Sequence, residues 1–171
     1  MVANQAEVPM AEGRVSHDDE RPSRIVLQVA QQLAETLPDF FLHKGPGLGD
    51  RATNAFMSQL RARVHEQLGY DCSEKRLCGE TAFAADFFIE DEGAVIEIAL
   101  SLRNPGSEFE KDVLKAVMAK ELGAHVERLV FISKPGAIKR HSSPGSRAIC
   151  AWAERIHGIA IEIHELRPPV G

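Results

Sequence analysis

Apolar residues recur at helical spacing in two stretches of the N-terminal third. Ser23 can cap a helix in which Val26, Val29, Leu33 and Leu37 share one face, ending before Pro38. The stretch HKGPGLGD at 43–50 reads as a turn-rich linker, because its glycines fit neither standard phosphate-binding pattern. Asp50 or Thr53 then opens a second helix with Phe56, Leu60, Val64 and Leu68 on one face, and Gly69 stops it. Beyond Gly69 the period shortens to two. KRLCGE at 75–80 is a weak strand, whereas AFAADFFIE at 82–90 and AVIEIAL at 94–100 are strong ones joined through Asp91, Glu92 and Gly93. A loop at 102–107 leads from Ser107 into a helix through about Leu122, with Phe109, Val113, Leu114, Val117 and Met118 as its stripe. VERLVFIS at 126–133 reads as a buried strand, SKPGAIKRHSSPGSR at 133–147 as a basic loop, 145–157 as a helix and IAIEIHEL at 159–166 as a last strand. The order predicts an α/β domain with a mixed sheet: helix, three strands, helix, strand, then a C-terminal helix–strand extension.

Side-chain alternation makes the hairpin at 82–100 the informative region. Asp86 falls with Ala82, Ala84 and Phe88, and Glu97 falls with Val95, Ala99 and Ser101, while Phe87, Ile89, Ile96 and Ile98 take the opposite face. If Glu90 faces Gly93 across the turn, Asp86 lies directly opposite Glu97. Like charges so placed repel, and half-burial adds a desolvation cost that a divalent cation with hard oxygen ligands removes. A left-handed bulge at Gly93 shifts the register by one and separates the two acids. On spacing alone, a solvent-facing glutamate on an edge strand is an equally open reading of Glu97.

Composition changes this picture little. The chain has 171 residues with 44% hydrophobic and 26% charged, as in an ordinary globular domain, which excludes fibrous, wholly disordered and disulfide-scaffold classes. No apolar run is long enough to span a bilayer and no secretory leader is visible at the start, so a cytoplasmic, non-membrane protein is expected. Cys72, Cys78 and Cys150 are an odd set without metal-ligand spacing, and they read as reduced thiols. The net charge is −5, most of it in residues 1–22, which read as a disordered acidic tail before a single domain at 23–171. The loop at 133–147 gathers Lys134, Lys139, Arg140 and Arg147 without an acid. That makes it a local basic surface able to contact phosphates, or simply a solvated loop.

The element order, together with AADFFIEDEGAVIEIALSLRNPGSEFEKDVLKAVMAKELG and the following VERLVFIS, resembles the PD-(D/E)XK, or restriction-endonuclease-like, nuclease superfamily over about residues 50–135. The resemblance implies that Asp86 and Glu97 bind Mg²⁺, with Mn²⁺ as a substitute, and that the chain hydrolyses DNA phosphodiester bonds, with a homodimer by analogy; the helix at 24–37 is a candidate for its contact or packs on its own domain. The third motif position, a lysine in the family, falls on Ala99. Some members draw that lysine from the following helix, which points to Lys111 and Lys115 as catalytic replacements. Helical spacing equally allows these two to form an exposed ladder with Glu108 and Asp112. Glu66, off the apolar face of its helix, is an extra acid or a solvated one. Ala99 also favours the alternative of a catalytically inactive nuclease-fold module for binding or assembly.

Overall fold

The computed structural model describes residues 21–37, 40–42, 49–100, 102 and 108–169. The expectation of a disordered tail, and most of the two expected loops at 43–50 and 102–107, lie outside these residues. Helix α1 (Pro22–Thr36) starts one residue before Ser23, because Pro22 takes the first-turn position that its fixed φ suits. Ser23 is therefore not the cap. Its N–H donates to Glu92 Oε1 at 2.9 Å and its hydroxyl donates to the other Glu92 oxygen, which brings a carboxylate to the positive end of the helix. Helix α2 (Gly49–Leu68) begins inside the expected linker and buries Phe56, Leu60 and Val64 as its periodicity predicts.

Five strands follow: β1 (Ser73–Lys75), β2 (Ala85–Ile89), β3 (Ala94–Ile98), β4 (Arg128–Ser133) and β5 (Ala160–Glu165). They form one sheet in the order β1-β2-β3-β4-β5, with antiparallel pairs up to β3 and parallel pairs beyond it. Strand β1 lies before the expected 75–80, since Ser73 and Lys75 are the residues that pair with Phe87 and Ala85. Helix α3 (Glu108–Glu121) joins β3 to β4, and a short α4 (Ala137–His141) and α5 (Pro144–His157) join β4 to β5. The mixed α/β class is as expected. The "loop" at 133–147 is instead largely helical: Gly136, at φ 97°, turns the chain into α4, and Ser143 Oγ caps α5 through the Ser146 N–H.

The sheet separates two apolar clusters. Val26, Val29 and Leu33 of α1 and Phe56 and Leu60 of α2 pack on Phe87, Ile89, Ile96, Val130 and Ile132. Phe109, Val113, Ala116 and Val117 of α3 pack on Val95, Leu129 and Phe131. The α3 stripe is narrower than predicted, because Leu114 is 51% exposed. Helix α1 spends its apolar face on its own domain, as the alternative to a dimer contact has it.

Candidate functional site

The β2–β3 turn decides where the two acids fall. Gly93 does adopt the left-handed conformation (φ 56°), yet Ile89 pairs with Ala94, Phe88 with Val95 and Phe87 with Ile96, so the register does not slip. The reason is loop length. A short 3₁₀ turn over Glu90–Glu92 leaves four residues between the strands, and a left-handed residue closes such a loop without a bulge. A Cβ on Gly93 would lie 3.1 Å from the Glu127 backbone N, and the Gly93 carbonyl accepts from the Glu127 and Arg128 N–H groups at 2.8 and 3.0 Å. Continuing the register places Asp86 opposite Glu97. Asp86 Oδ2 accepts the Ile98 N–H at 2.8 Å, and Glu97 is 4% exposed.

Helix α3 supplies the cation. Lys115 Nζ lies 2.7 Å from Glu97 Oε1 and 2.9 Å from Asp112 Oδ1, and it donates to the Ala84 carbonyl at 3.1 Å. Lys115 and Asp112 are 8% and 6% exposed, so the exposed ladder is replaced by a buried ion cluster. Lys111, one turn before Lys115 on the same flank of α3, stays exposed, and Glu66 is exposed on α2. Asp112 is a site residue that the sequence reading misses. Its signal is present, since it lies three residues after Phe109 and four before Ala116, within the buried stripe. Arg61 of α2 also enters the group, 2.8 Å from Glu74 Oε1 and 3.9 Å from Asp86 Oδ1. Cys78 Sγ donates to the Lys115 carbonyl at 3.3 Å, holding the segment before β2 against α3.

Three carboxylates against one buried lysine and a half-exposed arginine leave an excess of negative charge. Burial first, then Asp112 and Asp86, push Glu97 up to about 8 from an ordinary 4.5, against the pull of Lys115. Burial raises Asp86 too, opposed by the Ile98 N–H and the charges of Lys115 and Arg61. Burial works to lower Lys115, but the charges and hydrogen bonds of Glu97 and Asp112 outweigh it and raise the ammonium above its usual range. Burial and the neighbouring carboxylates therefore favour the protonated form of Glu97.

Asp86 and Glu97 supply hard oxygen donors of the kind Mg²⁺ takes one or two of, and the Arg61 guanidinium lies 3.9 Å from Asp86 Oδ1. No set of three or more His, Cys, Asp or Glu converges as a metal cage among the described residues.

The expected phosphate contacts divide. Arg140 Nε donates to the Leu102 carbonyl at 3.1 Å and Lys134 Nζ sits 4.4 Å from the Phe40 ring centroid, so each has a contact within the chain, whereas Lys139 and Arg147 are exposed. Because β3 and β4 are parallel, α4 follows β4 at the sheet end where the chain leaves Glu97. A separate cavity of about 190 Å³ opens near the start of α1, lined by Arg24, Leu27, Arg128 and Glu162 among others, away from the acidic pair. The described cysteines are free, and no described helix is long and apolar enough to cross a membrane. No family model, curated protein or solved structure matches the chain.

Proposed function

We propose that the chain hydrolyses DNA phosphodiester bonds with Mg²⁺ held by Asp86 and Glu97, on a restriction-endonuclease-like arrangement of helix, three strands, helix and strand. The observation that carries this reading is the buried Lys115 ammonium, 2.7 Å from Glu97 and drawn from α3, which compensates for Ala99. A bound Mg²⁺ ion polarises a phosphoryl oxygen and lowers the pKa of its water. Lys115 stabilises negative charge growing on the phosphoryl group, and the Ile98 N–H fixes the aspartate that faces it. Asp112 anchors Lys115 from one helical turn away, which makes it a positioning residue. Lys139 and Arg147 add exposed positive charge for the DNA backbone.

A second reading, an inactive module that binds or assembles, is favoured by the same ammonium. Lys115 already compensates part of the carboxylate charge without any ion. Supercoiled plasmid separates the two. Nicking with Mg²⁺ that stops with EDTA and in Asp86→Ala supports the enzyme, and Lys115→Ala should slow it by roughly 100- to 1000-fold. A folded wild type inert with Mg²⁺ and Mn²⁺ on both DNA and RNA leaves the inactive module.

A further inference from the structure

The two edges of the sheet are built differently. The β1 edge has three residues, and Glu74 within it sits at φ 50°, an irregularity that blunts pairing. The β5 edge has six residues in regular conformation, without proline or lysine, and all six are half-exposed. Among the described residues, strand β5 pairs only with β4. The Ala160 N–H donates to the Glu127 carbonyl at 2.9 Å and the Leu166 N–H to the Ser133 carbonyl at 2.8 Å. Residues 160, 162, 164 and 166 therefore turn their N–H and C=O groups toward β4, and Ile161, Ile163 and Glu165 turn theirs outward.

We infer that this edge pairs with a second copy of the chain, β5 against β5 in antiparallel fashion about a two-fold axis at Ile163. In that register Ile163 meets its own counterpart, Ile161 meets the other copy's Glu165, and every outward N–H and C=O finds a partner. The same register puts Glu162 opposite His164, twice. A shift by one hydrogen-bonding step instead sets Glu162 against Glu162 or His164 against His164, which is unfavourable. Glu165 does not oppose the pairing, because its carboxylate accepts from the Gly136 and Ile138 N–H groups of its own chain. Helix α5, packed on β5, leaves Trp152 and Ile156 41% and 57% exposed, apolar area on the element next to β5.

Glu97, Phe131 and Ile163 share one row across β3, β4 and β5. The axis thus sets the two Glu97 residues on one face of a ten-stranded sheet, roughly 24 Å apart at about 4.8 Å per strand. The pairing rests on the edge alone and is independent of what the acidic pair does.

Sedimentation across a concentration series up to about 100 µM, a range that resolves weak self-association, should give twice the 18.8 kDa chain mass at the upper end. Ile163→Pro removes an outward donor from each copy without touching the β4 ladder, and should weaken the dimer by roughly 30-fold or more. Cross-linking tests the register even if that variant fails to fold. In a Cys150→Ser background, Ile163→Cys should oxidise to a covalent dimer, since the facing Cα atoms lie about 5.5 Å apart. Glu162→Cys should not, at about 8 Å from its counterpart. A monomer at every concentration overturns the inference, as does a dimer that a folded Ile163→Pro leaves intact or that cross-links equally through position 162.

Discussion

Replacing Glu97 by glutamine keeps the shape of the side chain and removes its ionisation, and the surroundings of this carboxyl set the size of the effect. Glu97 stands at about 8 in the folded chain against an ordinary 4.5. The folded state holds this proton more tightly than the unfolded one, so stability from this group is full below about pH 4.5 and is lost as pH rises toward 8. A shift of that size corresponds to roughly 5 kcal/mol, a third or more of the stability of a typical domain. Urea unfolding of the wild type and Glu97→Gln, in parallel from about pH 5 to about pH 9, reads the difference directly. The two should agree within ~1 kcal/mol at the acid end and diverge by several kcal/mol at the alkaline end, with the variant more stable. Asp86 and Lys115 are coupled to Glu97, so the difference reads the cluster with and without this one ionisable group. Parallel curves across the range would refute the buried, electron-rich surroundings assigned to this carboxyl.

The same cluster and its support give three further outcomes. Lys115→Met leaves Glu97 and Asp112 buried without their ammonium and should cost about 3–5 kcal/mol at pH 8, less in acid as Glu97 protonates. Asp112→Asn removes the largest charge raising Glu97, so the midpoint of the pH-dependent loss of stability should move to lower pH, read by the same unfolding series. Phe131→Ala empties a fully buried position beneath Phe109, 5.4 Å between ring centroids, and should lower unfolding free energy by about 3–5 kcal/mol in urea titrations.

The sheet hairpin and its two faces are legible in the sequence, because alternation is unambiguous where one face is Phe87, Ile89, Ile96 and Ile98. The role of Gly93 is not, since the same left-handed residue closes a four-residue loop or makes a bulge, and only loop geometry separates them. Strand β1 overlaps its expected range only at Lys75, because three residues of edge strand carry no periodicity. Helix α4 is hidden by its short length and its basic residues, which read as loop until Gly136 supplies the turn. The buried state of Lys115 is the largest gap. A lysine beside Asp112 and Glu108 on a helix reads as solvated, and only packing of α3 over Val95 and Phe131 turns that flank toward Glu97. Leu114, assigned to the core stripe, sits on the opposite flank for the same reason.

The central claim is that Asp86 and Glu97 hold a divalent cation. Calorimetric titration of the chain with Mg²⁺, in buffers of different ionisation enthalpy, tests it without relying on any substrate. A carboxyl at about 8 must give up its proton to bind the ion, so about 0.9 proton per ion should be released at pH 7, falling to about 0.1 at pH 9. Affinity should rise about tenfold between these two values, and binding should vanish in Asp86→Asn. No binding by the folded wild type, or binding that neither releases protons at pH 7 nor depends on Asp86, would contradict the account.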